Sequence, residues 1–553
     1  MIIPEYTQEK SKLDCLQSNE IGSIDLLVGN DVMLLLANVN FIAEWNQLYS
    51  VCPWATIFQT YDFVASWYKH YSDRHTPIVV LSRYRGRLTG LLPLAQGVNE
   101  LGIAGAGGHD AYYHLWLSTP LHGEIFIQAA LKTLLNRFPN QDITLKYIPQ
   151  NVPMGWIEKS DYWKKNSVIR NFRRPLLNLI NLDRGQVLSK RSFKERYNRL
   201  KKLGEVKFEL IKDPDVLDVV MDQLADQFDI RKAATLNIMP FKDDPAKKKF
   251  LLDLIKKNVL IAAVLKLNGN IISGITATTS RAGWSHGAGI NTYSPAYGRY
   301  SPAYVILKLL SIALKDAGVT MFDITPGGHT YKEAHADEYD TLIELRLTSK
   351  YKALYLKNFY KIKALVKSVI EKNGLDARQL RNTMSTKYIM KKESLLLFLN
   401  ISSLSKSAIP HAAKVTQIVL DEHLLPTNLG VKQDCLKDIL LFNPNGSDIT
   451  RWEFMKKVMK HYEAGFISYT YCENNQLLCL VWLAPQHLRS REINDEVEIK
   501  SLPSDSAILC NIYCHSKVTE KLAPFIKKVA DKILTSSPNK TIYLLENLDI
   551  HPK

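Results

Sequence analysis

The chain has 553 residues, 46% of them hydrophobic, and a formal net charge of +16, which is enough apolar material for several buried cores. Its apolar runs are too short to cross a bilayer, Met1 to Tyr6 do not begin a secretory signal, and seven irregularly spaced cysteines suit a reducing compartment. The expected location is therefore cytosolic, and neither an RNP-type strand nor zinc-finger spacing marks a standard nucleic-acid module.

Residues 1 to about 45 mix polar and apolar positions and read as an N-terminal extension. A first unit, 46–165, opens with a helix from Ile57 to Tyr71, where Phe58, Tyr61, Phe63, Val64, Trp67, Tyr68 and Tyr71 form the apolar face. Ile78–Ser82 and Leu88–Ala95 then pair around Tyr84-Arg85-Gly86-Arg87. Ile125–Arg137 reads as a helix and Ile143–Ile148 as a strand. A second unit, 166–372, repeats this order with helices Val216–Arg231 and Ala246–Lys257. Strands Val259–Lys266 and Ile271–Thr279 follow, joined at Asn268-Gly269, a strong hairpin signal. Next come a strand from Trp284 to Asn291, a helix from Ser301 and a strand from Val319 to Ile324. A polar linker, 373–394, leads to a third α/β unit, 395–553. There Trp452–Tyr462 is helical, and Phe466–Cys472 pairs with Gln476–Leu483 around Glu473-Asn474-Asn475. Strand Ile508–Tyr513, helix Thr519–Leu534 and strand Thr541–Leu545 close the chain. The fold class is mixed α/β (α+β), with central sheets flanked by helices.

The segment Tyr297-Gly298-Arg299-Tyr300-Ser301-Pro302-Ala303 links a strand to a helix. Ser301 suits the N-cap and Pro302 the first helical position. The exposed N–H groups of such a helix end favour an anion, and Arg299 could add a charge-assisted contact to a phosphate. An ordinary strand–helix connection has the same local pattern.

Tyr-x-x-Tyr-Ser-Pro, a helix, Phe322-Asp323, a glycine loop and finally Tyr331-Lys332 together resemble the cellulose-biosynthesis acetyltransferase family (the CelD/BcsL type) of the GNAT superfamily of acyltransferases. Three further segments match in order: Phe58 to Phe63 with Trp67, Gly105 to Tyr113, and Ser189 to Tyr197. The likeness covers roughly residues 45 to 365. It implies tandem GNAT-like units, as in Fem-type aminoacyltransferases, with the second unit catalytic. It further implies an acyl-CoA co-substrate, acetyl-CoA first among the candidates, held at Tyr297, Gly298, Arg299, Tyr300, Ser301 and Ala303. An amine or hydroxyl acceptor, such as a sugar precursor for an exported polysaccharide, would complete the reaction. The thioester of such enzymes lies along a splayed strand before the phosphate turn, which makes His286 a candidate base beside its reading as a hydrogen-bonded strand histidine. Asp323 could act as a base or orient one, and Lys332 could hold a phosphate or stabilise an oxyanion. His109, Asp110, Tyr112 and Tyr331 would face the acceptor. His329 stands where the family often has an acid, which argues against an acidic base in that loop. The third unit reads His515 to Lys521 at its phosphate position, with no glycine and with Glu520 opposing an anion, so it resembles a degenerate GNAT module that docks or stabilises.

Cys510, Cys514 and His515 lack a second ligand pair, and alternation puts the two thiols on one buried face, so no metal site is expected. Lys190–Lys202 holds seven Lys or Arg against Glu195, and Lys350–Lys372 holds seven Lys against Glu371. Nucleic acid (a tRNA, on the Fem-like alternative), anionic lipid, a polyanionic sugar or CoA phosphates could each be the counterpart. The 350–372 segment could lie on the inner face of an anionic membrane. The preferred reading packs its apolar side on the second unit and exposes the lysines. An inactive GNAT scaffold that binds partners is the remaining alternative.

Overall fold

The structure is a computed structural model that describes residues 22–98, 102–279, 282–327, 330–373, 415–418, 429–445, 449–485, 503, 506–538 and 540–545. The expected linker lies outside the described residues but for Asn373, as does His329. The first element is strand β1 (Ser23–Val28), which pairs antiparallel with β2 (His75–Tyr84). Helices α1 (Asn30–Leu36) and α2 (Val39–Val51) follow β1 directly. The Asn38 side chain caps α2 by accepting from the N–H groups of Asn40 and Phe41. Residues 23–45 are thus part of the first unit rather than an extension, and the expected boundary at 45 falls inside α2. Burial supplies the reason: Val32, Leu36, Phe41 and Trp45 enter the same core as α3 (Tyr61–Tyr71), which Thr60 caps. Strand β2 turns through Arg85 and Gly86, both at positive φ, into β3 (Arg87–Gly97). Strand β4 (Ile103–Gly105), the short β5 (Leu117–Ser118), helix α4 (Gly123–Arg137) and β6 (Ile143–Pro149) complete this unit.

The second unit begins with β7 (Ser167–Asn178), helix α5 (Arg191–Lys201) and β8 (Val206–Ile211). Two helices, α6 (Pro214–Leu236) and α7 (Ala246–Lys256), precede β9 (Leu260–Leu267), β10 (Asn270–Thr278) and β11 (Trp284–Tyr293). A 3₁₀ turn (Pro295–Tyr300) leads into α8 (Pro302–Asp316), β12 (Met321–Asp323), β13 (Glu338–Leu347) and α9 (Lys350–Lys372). Strand β13 does not stay with its own unit's hairpins. It lies between β6 and β7, antiparallel to both, and welds the two units into one thirteen-stranded sheet. Leu342, Leu345 and Leu347 of β13 are fully buried at this seam.

Strand β11 pairs in parallel with β12 only over Trp284–His286 and Met321–Asp323. Beyond that point β11 follows β10 alone, with a bulge that sets four β11 residues against two of β10. Gly289, at φ +72°, occupies the bulge. The outcome is a V-shaped opening whose vertex is the His286–Asp323 pair.

The third unit is a six-stranded mixed sheet among the described residues, beginning with the short strands β14 (Val415–Gln417) and β15 (Lys432–Gln433). Helix α10 (Arg451–Ala464) precedes the hairpin β16 (Ile467–Glu473) and β17 (Gln476–Leu483), and α11 (Leu522–Ser536) follows β18 (Ala507–Cys514). A bulge at Asn511, φ +52°, reverses the alternation of β18. Cys510 therefore packs in the core facing α10, whereas Cys514 packs in the core on the other face. The expectation of one shared thiol face fails for that reason.

Two contacts make the third unit part of the body. Ile230, Ala233 and Ala234 of α6 share one core with Met455, Val458, Met459 and Tyr462 of α10. Buried Trp452 donates its indole N–H to the Ala234 carbonyl at 2.8 Å. Helix α9 departs from expectation in the opposite sense. Ala353 is its one buried residue, Leu356, Tyr360 and Ile370 are half-buried, and its other tyrosines and branched aliphatics are exposed. Trp452→Ala should lower the unfolding free energy by about 3–5 kcal/mol, because a cavity opens and a carbonyl loses its donor. Urea denaturation measures this; a loss below about 1 kcal/mol would show that the two units are not joined through this side chain.

Candidate functional site

Strand register places the functional groups. His286 and Asp323 are direct partners at the vertex of the V, and Asp323 pairs on its other side with Leu176 of β7. Two residues before Leu176 on the same strand, Arg174 faces its cross-strand partner Asp340. Arg174 binds Asp340 through two nitrogens, with Nε to Oδ1 at 2.7 Å. Its Nη1 lies 3.5 Å from Asp323 Oδ2 and 3.4 Å from the Tyr113 hydroxyl. The Tyr113 hydroxyl donates a short hydrogen bond to Asp323 Oδ2. His286 Nδ1 lies 3.0 Å from the same oxygen, and the Thr325 N–H donates to Oδ1 at 2.7 Å. His286, Arg174 and Thr325 are buried, Asp323 and Tyr113 completely so, and Asp340 is half-buried.

This geometry fixes protonation states. Burial pushes the Asp323 carboxyl up, but the hydrogen bond and charge of His286, the Arg174 guanidinium and the Tyr113 hydroxyl outweigh it and hold the group below its usual range. Burial, reinforced by the Asp323 charge, pushes Tyr113 well above the usual tyrosine range, so it remains a donor. An ionised carboxylate accepts from a protonated His286 Nδ1, which leaves Nε2 as the ring nitrogen turned away from Asp323. Nε2 has no hydrogen-bond partner among the described residues. The ring is held by Phe58 and Tyr113, at centroid distances of 5.6 and 5.2 Å, and stacks on Trp284 at 6.3 Å. Asp323 is too deeply buried to meet a substrate; its position suits orienting His286. The adjacent β11 residues Gly287, Ala288 and Gly289 are small, and a Cβ added at Gly287 would meet only ordinary contacts at 3.7 Å or more. The V is therefore open beside Gly287, whereas Thr276 and Leu251 occupy the place a Cβ would take at Gly289.

Lys332 donates to the Thr325 carbonyl at 2.9 Å, the Thr325 hydroxyl at 2.6 Å and the Pro326 carbonyl at 3.2 Å. An ammonium has three donors, so this lysine is committed to the loop after Asp323 rather than free to hold a phosphate. Burial, opposed by Asp323 and reinforced by Lys232, lowers it to about 8. The side chain of Tyr331 lies outside the described residues. From the first unit, half-buried Tyr112 packs edge-on to Phe58 at 6.1 Å. Asp110 forms an ion pair with Lys247 of α7 at 2.6 Å, and His109 beside it is exposed. These acceptor-side candidates thus stand at the junction of the two units, with Asp110 tied across it.

The proposed donor turn takes an unexpected setting. Ser301 is in the left-handed region, φ 56°, ψ 49°, and its side chain caps no helical N–H. Arg299 is exposed, its carbonyl accepts from Arg199 Nη2 at 2.8 Å, and its guanidinium lies against Gly465, the C-cap of α10. The cation thus meets the negative end of a helix. Any Cβ at Gly465 would collide with it. Gly298 adjoins Tyr293 and Glu463, and Tyr300 lies under both Arg199 and Arg299, at 5.4 and 5.0 Å. Tyr297 and Ala303 are half-buried beside them. Among the described residues, no three His, Cys, Asp or Glu are grouped to hold a metal ion.

Sequence reasoning singled out His286 and Asp323 but missed Arg174, Tyr113, Trp284 and Asp340. Arg174 sits in Arg170-Asn171-Phe172-Arg173-Arg174, a run with no clean alternation. Tyr113 follows Tyr112 in a loop, where spacing does not reveal which ring turns inward.

Residues 189–333 match the family described as an acetyltransferase (GNAT) domain. That segment contains β11, the donor turn, α8 and β12, hence the whole V and its vertex. No curated protein matches the chain. Among solved structures, it is similar to a conserved protein of unknown function from Bacteroides thetaiotaomicron, with 8% identity, TM-score 0.41, and 56% of this chain and 97% of that one covered. It is also similar to FemX, with 9% identity, TM-score 0.41, and coverage of 57% and 98%. A tandem GNAT protein from the clavulanic acid biosynthesis pathway has 10% identity, TM-score 0.35, and coverage of 59% and 98%.

Asp323→Asn should destabilise the fold by about 3 kcal/mol near neutral pH, since Arg174 loses part of its buried counter-charge. The folded-state pKa of Asp323 lies below the unfolded value of roughly 3.9. Its contribution is therefore complete above that unfolded value and is lost as the pH falls through the folded one. Urea denaturation of wild type and variant should show a constant gap above about pH 5 that narrows below about pH 4. A gap that does not narrow on acidification would mean that the carboxylate is not held ionised by its neighbours.

Proposed function

We propose that the chain is an acyltransferase that moves an acyl group from acyl-CoA, acetyl-CoA first among the candidates, to an amine or hydroxyl acceptor. The observation that carries this reading is the Asp323–His286 pair at the parting of β11 and β12, inside the segment that matches an acetyltransferase domain. The thioester lies in the V along β11, where Gly287 leaves room for it. His286 Nε2 takes the proton from the acceptor as its nitrogen or oxygen attacks the thioester carbonyl. The tetrahedral intermediate then collapses and expels the CoA thiolate. Asp323 holds the ring in the accepting tautomer and stabilises the imidazolium, and Tyr113 and Arg174 keep Asp323 ionised. Lys332 is a positioning residue that fixes Thr325 and Pro326. The pyrophosphate sits at the turn before α8, with Tyr297, Gly298, Arg299, Tyr300, Ser301 and Ala303 around it. His109, Asp110, Tyr112 and Tyr331 line the acceptor side at the junction of the two units. The likeness to the cellulose-biosynthesis acetyltransferases supports a sugar precursor of an exported polysaccharide or envelope polymer as acceptor, and a cytoplasmic site of action.

Two variants test the assignment. His286→Gln should lower kcat by about 10²–10⁴-fold, the usual share of a general base, while CoA affinity changes by less than about threefold. Thiol release from acetyl-CoA with a panel of amino sugars and hydroxylated sugars reads the rate, and calorimetry reads the affinity. Arg299→Glu should weaken CoA binding by about tenfold or more, because a carboxylate is repelled by the negative C-terminal end of the helix that buttresses the turn and adds negative charge beside the phosphates. Unchanged turnover in His286→Gln would remove it as the base. Wild type that fails to bind CoA at all would return the chain to Fem-like transfer from aminoacyl-tRNA, or to an inactive scaffold.

A further inference from the structure

Helix α9 is 23 residues long, about 35 Å at the usual rise. Its contacts with the body fall on one side. Ala353 is buried, Lys357 Nζ donates to the Lys164 carbonyl at 2.8 Å, and the Tyr360 ring lies under Arg170 at 4.6 Å. At about 100° per residue these three positions lie about 180–240° round the helix from Tyr351. Leu354, Tyr355, Ile362, Leu365 and Val369 lie within about 60° of Tyr351, on the opposite side. Those five, with Tyr351, are 58–82% exposed. The apolar stripe therefore faces away from the protein, and the expected packing on the second unit does not occur. Lysines border it on both flanks, Lys350 and Lys361 on one and Lys363 on the other, and Glu371, the helix's one acidic residue, pairs with Lys367 at 3.6 Å.

We propose that α9 docks the protein on an anionic membrane, lying in the plane of the surface with the Tyr351–Val369 stripe inserted among the acyl chains. A stripe of this width needs an apolar partner, and the flanking cations require that partner to be negatively charged at its edge. A lipid surface with anionic headgroups supplies both, with the lysine ammonium groups at headgroup level and their stems along the apolar boundary. The seven lysines exclude a spanning orientation, and no described helix is long and apolar enough to cross a bilayer. Docking at this face leaves the V at the β11–β12 vertex uninvolved, so the proposal is independent of the transfer chemistry.

Vesicle co-sedimentation of the full chain tests it. Wild type should partition onto phosphatidylcholine vesicles containing roughly one-third phosphatidylglycerol, remain in solution with phosphatidylcholine alone, and be released as salt is raised. Ile362→Glu with Leu365→Glu places two carboxylates in an exposed stripe, so folding is unaffected, and should reduce partition by about tenfold or more. Circular dichroism and CoA affinity should match wild type. Wild type that stays in solution with both vesicle types, or a double variant that partitions as wild type does, overturns the proposal. So does a double variant whose altered property is a change from dimer to monomer in sedimentation, which would assign the stripe to a second copy of the chain.

Discussion

The second unit is organised about one buried carboxylate. Asp323 has no contact with solvent, and isolation in such surroundings would cost several kcal/mol. Its solvation is replaced by Tyr113 from the first unit, His286 and the Thr325 N–H from the second, and Arg174 from the strand beside β12. Arg174 is shared with Asp340 on β13, so the charge balance reaches the seam strand. Removing any one partner leaves the others with an incomplete set. The orientation of His286, the junction of the units and the position of β13 are consequences of a single electrostatic requirement.

Much of this was legible in the residues. The Asn268-Gly269 hairpin, the Pro302 helix start and the apolar periodicity of α3, α4 and α10 follow from local chemistry, and the structure contains them. His286 and Asp323 could be named because a strand, turn, helix and strand in that order bring the ends of two parallel strands together. What was illegible has non-local causes. In β6 a bulge at Tyr147, φ +54°, sets three residues against two of β13, and the burial of Leu342, Leu345 and Leu347 follows no single alternation. The central residues of β7 are arginines, which signal a strand only when Asp340, Glu344 and Asp323 are known to lie opposite. Asn511 breaks β18 in the same way as Tyr147 breaks β6. The preferred reading of α9 failed because an amphipathic pattern states that an apolar face exists and is silent on what covers it.

The third unit has a closer relation to the turn before α8 than its lost phosphate motif implied. Arg299 was selected for its charge and its place beside a helix start. Its guanidinium instead meets the C-terminal end of α10, where Gly465 leaves space for it. Gly465 is needed twice over, once for its left-handed backbone, φ 90°, and once for the arginine that would collide with a side chain. Helix α10 thereby buttresses the Pro295–Tyr300 turn from outside, while Arg199 holds the Arg299 carbonyl from within. The third unit thus shapes the turn beside it.

The place of β13 also bears on how the polypeptide reaches this state during synthesis. The sheet of the first unit ends at β6 until residues 338–347 have left the ribosome, so its edge stays open through the production of almost two hundred residues. Neither unit completes its sheet alone, and closure joins strands far apart in sequence, which makes it slow. Chaperone dependence and vulnerability to edge-to-edge aggregation should therefore be concentrated in that interval of translation. Interruptions placed after Leu347 would release a chain whose seam is already closed.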